Sequence, residues 1–181
     1  IELSLGYNKT WGEFTWNPTL TYSMNRNKIV KLFDDPDRVL SMGGLPGCEI
    51  ILKKGGTMGD VYTTTDFLRD ADGNIAVNDG KVAQRTLDNP TYRGSVLPKG
   101  NLGFSNEFSY KGFNLGFLIS ARFGGIVMSQ TQAIMDAYGV SKSSAEVRDN
   151  GGVAVNRGIV SAENYYSVVG GENPIWSEYI Y

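Results

Sequence analysis

Hydrophobic and polar positions alternate most clearly in the stretch NLGFSNEFSYKGFNLGFLISARFGG, residues 101–125. Two strictly alternating runs meet at Lys111-Gly112, which predicts antiparallel strands over residues 101–110 and 113–124, joined by a two-residue turn. This turn places Tyr110 opposite Phe113, and every later pair follows from that register. One face of the hairpin is then almost wholly apolar, while the other carries small and polar side chains.

The start of the chain contains a second pair of alternating runs. They predict strands over residues 1–10 and 13–25, with Leu3 and Trp16 on the same apolar face. The opposite face carries Ser, Thr, Asn and Gly instead of the Lys and Glu that usually cover a solvent-facing sheet. Pro18 lies inside the second run, and because proline cannot donate a ladder hydrogen bond, we expect a local bulge there.

Helical periodicity is scarce in the rest of the chain. Residues 131–137 form the best candidate for a helix, of at most two turns. The 23 glycines and 10 tyrosines, together with many Ser, Thr and Asn, are typical of short antiparallel strands separated by turns. The predicted fold class is therefore all-β.

The connections between the strands are very unequal in length. Within each pair they take a few residues, whereas segments 26–99 and 125–174 far exceed the roughly 12 to 15 residues usual for connections without structure of their own. Outer-membrane β-barrels show this asymmetry, with short periplasmic turns at one rim and long extracellular loops at the other. Aromatic residues at the turn ends, such as Trp11 and Phe113, are also typical of the girdles of these barrels.

The pattern predicts antiparallel strands forming part of a transmembrane outer-membrane β-barrel with long extracellular loops. Four to six strands are too few to close such a barrel, so they would belong to a larger wall. A soluble β-sandwich is the alternative, because its inner faces alternate in the same way. A sandwich would serve as an extracellular carbohydrate-binding or adhesin module.

Composition and charge narrow the range of functions. With 17 Lys and Arg against 19 Asp and Glu, the chain lacks the basic excess typical of nucleic-acid-binding proteins. It has no histidine and a single cysteine, Cys48, so the commonest general base and metal ligand are missing and no intrachain disulfide forms. Because no nucleophile and base occur in a recognisable arrangement, we predict no enzyme activity, no cofactor and no metal site.

Several short motifs occur in a specific order along nearly the whole chain. They are IELSL at 1–5, FTW at 14–16, SMNRNKI at 23–29, GGTMGDVY at 55–62, DADGNI at 70–75, GSVLPK at 94–99, FSNEFSYKGF at 104–113 and SEYIY at 177–181. In this order they resemble the later barrel strands of the SusC/RagA-type TonB-dependent outer-membrane transporters. No plug domain, signal peptide or final strand is recognised, so the resemblance is to a fragment of the C-terminal part of the barrel.

The resemblance implies a location and partners. Members of this family are barrels of about 22 strands, plugged by an N-terminal domain, in the outer membrane of Bacteroidetes-type bacteria. They import glycan oligosaccharides or peptides, draw energy through the TonB complex, and work with a SusD-like surface lipoprotein. Outer-membrane lipid and a glycan or peptide substrate are therefore expected partners of this chain, and nucleic acid is not.

Four residues are candidates for substrate binding. Glu107 and Arg122 face the lumen by parity, where a contact with the plug is the expected role and a contact with substrate is the alternative. Tyr138 and Trp176 lie in the predicted loops, where their rings are candidates for stacking on sugars. Local packing is the expected role of these aromatic side chains and of Tyr165 and Tyr166, and stacking on sugars is the alternative.

Overall fold

The computed structural model describes all 181 residues, Ile1–Tyr181, and consists mainly of antiparallel β-sheet. The strands are β1 (Glu2–Gly6), β2 (Lys9–Trp11), β3 (Phe14–Ser23), β4 (Leu40–Leu45), β5 (Cys48–Leu52), β6 (Asp60–Phe67), β7 (Val77–Asn78), β8 (Lys81–Val82), β9 (Gln84–Ser95), β10 (Gly100–Tyr110), β11 (Phe113–Phe123), β12 (Val153–Val155) and β13 (Gly158–Val160). The helices are α1 (Gln130–Ala137), α2 (Lys142–Asp149), α3 (Ala162–Val169) and a 3-10 turn, Trp176–Glu178. None of the helices has the length and apolar character needed to cross a membrane.

The chain divides into two compact units. The sheet unit comprises Ile1–Lys28 and Leu97–Gly125, and the loop unit comprises Ile29–Val96 and Ile126–Tyr181. In the sheet unit the strand order is β1-β3-β10-β11, with β2 also pairing with β3, and all neighbours are antiparallel. The all-β prediction therefore agrees with the main architecture, although the three α-helices add helical structure that was mostly not predicted.

The β10–β11 hairpin has the predicted register, from Tyr110 opposite Phe113 through to Gly100 opposite Phe123. Its turn has positive φ at both central residues, 48° at Lys111 and 85° at Gly112. Positive φ at both positions defines a type I′ turn, whose twist matches that of the strands it joins. The two-residue turn predicted from the alternation is thus confirmed.

Pro18 produces no bulge, so that prediction was wrong. The pairing of Gly6 with Thr19 and of Lys9 with Trp16 is in one continuous register, and β1 and β2 are separated only by Tyr7 and Asn8. The Pro18 carbonyl accepts the Tyr7 amide at 3.0 Å. Since the N–H and C=O of one residue in a strand point to the same side, the missing donor of Pro18 faces this short interruption, and the ladder to β10 stays intact.

The segments predicted as loops 26–99 and 125–174 contain most of the loop unit, which has its own core. Its largest sheet has the order β4-β5-β6-β9, accompanied by the hairpins β7–β8 and β12–β13. Each α-helix begins at a serine, Ser129, Ser141 or Ser161, whose side chain accepts a backbone N–H in the first turn, as N-cap residues do. The buried core includes Val61, Phe67, Val169, Ile175, Trp176 and Tyr179.

Cys48 lies in this core, where its thiol donates to the Met128 sulfur at 3.0 Å. Burial raises the pKa of the Cys48 thiol to about 11, and only the thiolate is a good nucleophile. We therefore expect negligible alkylation of Cys48 by iodoacetamide at pH 8 in the folded chain, and rapid alkylation in concentrated urea, as followed by mass spectrometry. Equal rates in the two conditions would contradict the buried position of the thiol.

Candidate functional site

The sheet unit exposes one broad apolar face. The registers across all its strands place the same set of side chains on this face: Leu3, Leu5, Tyr7, Trp11, Phe14, Trp16, Leu20, Tyr22, Leu102, Phe104, Phe108, Tyr110, Phe113, Leu115, Phe117, Ile119 and Phe123. Many of them are large and exposed, including Leu5, Phe113 and Leu115. Soluble monomers rarely expose contiguous apolar patches of more than a few hundred Å². This face therefore has the character of an interaction surface.

Aromatic rings cluster toward the turn end of this apolar face. Trp11 packs on Phe14 with ring centres 6.1 Å apart, and Phe14 packs on Phe108 at 6.0 Å. The two adjoining turns are linked by an ion pair of 3.1 Å between Lys111 Nζ and Glu13 Oε2. Amphipathic aromatic rings beside charged turn residues are characteristic of a boundary between an apolar layer and water.

Asn106 is a polar residue on the apolar face. It is 3% exposed, and its Oδ1 accepts the Trp16 indole N–H at 3.1 Å. The adjacent Phe117 ring also lies on this face, stacked on Phe108 at 6.0 Å. The hydrogen bond thus pairs the Trp16 indole N–H with the Asn106 Oδ1 within an apolar surface. This pairing reduces the free-energy cost of burying these two polar groups there.

The opposite face of the sheet is small and polar. It carries Ser, Thr, Asn and Gly almost throughout, and Leu118 is its single large apolar side chain among the paired strand residues. Glu107 and Arg122 both lie on this face, as parity predicts, and both are exposed. Glu107 pairs with Gly116 and Arg122 with Asn101, so six residues of β11, about 20 Å at ~3.3 Å per residue, separate them. The two side chains therefore do not form a common site.

The loop unit contains a cavity of about 370 Å³ near the C-terminal end of α1 and the N-terminal end of α3. Its lining comprises Asp136, Ala137, Tyr138, Gly139, Ser144, Arg148, Ala162, Glu163 and Tyr166. Tyr138, the C-cap residue of α1, is 79% exposed. The sequence identified only Tyr138 and Tyr166 among these residues, because the others come together only when three short helices pack.

A buried carboxylate organises one wall of this cavity. Asp136 Oδ1 accepts hydrogen bonds from Gln132 Nε2 at 2.9 Å, from Ser143 Oγ at 2.9 Å and from Ser141 Oγ. Burial, followed by the negative charge of Asp136, raises the pKa of Tyr166. The Tyr166 phenol therefore stays protonated and remains a hydrogen-bond donor well above neutral pH.

Trp176 is not available for stacking on a substrate, so its inclusion among the candidate substrate-binding residues was wrong. Its ring is 0% exposed, and its indole N–H donates to the Pro46 carbonyl at 2.8 Å. Tyr165 is half-buried, with its ring 6.3 Å from that of Phe67, and burial strongly raises its pKa. Both aromatic side chains therefore serve local packing, which is the role that the sequence analysis expects for them.

Comparison with known proteins relates the chain to the TonB-dependent receptors. It is similar to TonB-dependent receptor P3 of Formosa agariphila, with 27% identity over an alignment 172 positions long that covers 77% of this chain. The chain spans 16% of the length of that receptor. No protein-family model matches the chain.

Proposed function

We propose that this chain is a segment of the barrel wall, with its attached loops, of a TonB-dependent outer-membrane transporter of the SusC/RagA type. The observation that carries the proposal is the apolar face of the sheet unit. The similarity to a TonB-dependent receptor is a second, separate support. The strands β3, β10 and β11 are 10, 11 and 11 residues long. A tilted strand needs about 9–11 residues to cross the hydrocarbon layer of a membrane.

In this proposal the two faces of the sheet meet different surroundings. The apolar face contacts lipid, and the Ser-, Thr- and Asn-rich face lines the lumen of a larger barrel. The turns at Gly12-Glu13 and Lys111-Gly112 are periplasmic, and the loop unit is extracellular. The proposed activity is import of glycan oligosaccharides or peptides, with energy from the TonB complex and a SusD-like lipoprotein as partner, and without enzymatic catalysis by this segment.

Spin labels at two neighbouring residues of β11 test the lipid-facing assignment. Phe117 and Leu118 are both large, apolar and exposed, at 45% and 65%, but they point to opposite faces. In outer-membrane vesicles carrying the protein expressed from its complete gene, a nitroxide at Phe117 is expected to relax strongly with oxygen, which concentrates in lipid. A nitroxide at Leu118 is expected to respond instead to a water-soluble nickel chelate, as measured by power-saturation electron paramagnetic resonance.

The same label replaces an exposed side chain at each position, so the two positions differ in the face to which the label points. If both labels preferred oxygen, both faces would contact lipid and the lumen-facing assignment would be wrong. If the label at Phe117 were shielded from both oxygen and chelate while the label at Leu118 still responded to the chelate, the apolar face would be covered by protein and the polar face would contact water. That outcome would favour a soluble β-sandwich binding module.

A further inference from the structure

One charged side chain interrupts the apolar face of the sheet unit. Lys9 of β2 lies directly opposite Trp16 of β3, and residues opposite one another across an antiparallel pair share a face. No other paired residue of the apolar face carries a charge. Lys9 is exposed, so its ammonium group is available to a partner outside the sheet.

The other lysine near this end of the sheet has a protein partner. Lys111, in the β10–β11 turn, forms an ion pair of 3.1 Å with Glu13, in the turn between β2 and β3. Its Nζ also lies 5.5 Å from the centre of the Tyr110 ring. Lys9 forms no ion pair, and the apolar face contains no carboxylate. The charge of Lys9 is therefore unbalanced on this face.

Aromatic side chains flank Lys9 along the edge of the sheet. Trp11 and Tyr7 are each about half exposed, and the Tyr7 ring packs edge to face on Trp16, with ring centres 6.2 Å apart. Lys9 is three residues from Gly12, about 10 Å of strand at ~3.3 Å per residue. A lysine on an apolar surface lays its methylene stem along that surface and extends its ammonium toward the nearest polar layer. The site thus combines aromatic surface with one cation close to the turn.

We propose that Lys9 binds the phosphate of an anionic phospholipid in the periplasmic leaflet, while the acyl chains of this lipid lie on the apolar side chains beside it. The inference rests on the proposed function, because it requires the apolar face to contact lipid. An amphipathic anion both balances the charge and covers the adjacent apolar surface, whereas a small soluble anion leaves that surface in water. A zwitterionic headgroup brings a cation of its own, for which this face has no carboxylate. The nearby Glu13 is already paired with Lys111.

Lipid preference close to Lys9 is measured with a bimane fluorophore on the protein expressed from its complete gene, without other accessible cysteines, and reconstituted in lipid vesicles. Tyr7→Cys places the fluorophore two residues from Lys9. Brominated phosphatidylglycerol and brominated phosphatidylcholine with identical acyl chains quench it on contact, and mixtures of the two lipids give their relative binding constants. We expect phosphatidylglycerol to be preferred about fivefold, the factor that corresponds to one lysine near an anionic surface.

The matched control is the same fluorophore at Leu115→Cys. Lys9, Trp16, Phe108 and Leu115 form one row across the sheet, so Leu115 lies at a comparable distance from the turns but roughly 14 Å from β2, three strand spacings away. The preference there should be close to one. With the fluorophore at residue 7, Lys9→Gln should abolish the preference and Lys9→Arg should retain it. Unchanged quenching by brominated phosphatidylcholine verifies that both variants keep their fold and lipid contact.

The outcomes separate this inference from the proposed function. Equal quenching by the two lipids at residue 7 overturns the inference but leaves the barrel wall intact. This result is expected if a carboxylate of an adjacent strand, beyond the open edge of β2, pairs with Lys9 instead. A preference that persists in Lys9→Gln, or that is equally large at Leu115, also overturns it. Absence of quenching at both positions overturns the lipid-facing assignment and this inference together.

Discussion

Trp176→Ala is expected to destabilise the loop unit by about 3–5 kcal/mol, the usual cost of removing a fully buried large aromatic side chain. The substitution leaves a cavity in the core and removes the donor that satisfies the Pro46 carbonyl. Natural domains are stable by only ~5–15 kcal/mol, so such a loss consumes much of the margin. Amide hydrogen exchange, with residues of the loop unit followed individually, measures the change directly.

Two further variants identify the physical cause. Trp176→Phe keeps most of the apolar volume but loses the indole donor, so its expected cost is smaller, about 1–3 kcal/mol for an unsatisfied buried carbonyl. Tyr138→Ala removes an exposed ring and should change stability by no more than about 0.5 kcal/mol. If Trp176→Ala left the exchange rates unchanged and instead abolished ligand binding, Trp176 would be a binding residue after all.

Trp176 also illustrates why the sequence predicted the two units unequally well. In the sheet unit, burial follows a period of two along each strand, so alternation alone determines which side chains share a face. Trp176 has no such periodic context, and its main polar contact, Pro46, is 130 residues away. Similarly, Thr65 donates to the Pro174 carbonyl across 109 residues. No local pattern encodes contacts between such distant segments.

The pairing of the two hairpins has the same limit. Alternation predicted the faces of each hairpin, but the contact between β3 and β10, which places Trp16 opposite Phe108, is not contained in either one. Pro18 is a related case, because its effect depends on which adjacent strand lies on the side where its backbone N–H donor is missing. That neighbour is the two-residue interruption at Tyr7 and Asn8, and the strand therefore tolerates proline without a bulge.

Ile119→Arg is expected to destabilise the protein in the outer membrane by about 2–4 kcal/mol, the cost of a cation on the lipid side of a barrel near the bilayer midplane. Ile119 lies one residue from the middle of β11, on the apolar face opposite Phe104. Urea unfolding from lipid vesicles measures the change in the free energy of unfolding. The amount of the protein recovered in the outer-membrane fraction should fall in parallel.

The neighbouring residue supplies the matched control, because Ser120→Arg places the same cation one position along the strand but on the polar face. A lumen filled with water solvates that charge, so Ser120→Arg should cost little. Ile119→Ala measures the loss of apolar contact without a charge, and subtracting its effect isolates the cost of the cation. If the two arginines destabilised the protein equally, both faces would have the same surroundings. β11 could not then belong to a barrel wall, because the water-filled lumen solvates a charged side chain and lipid does not.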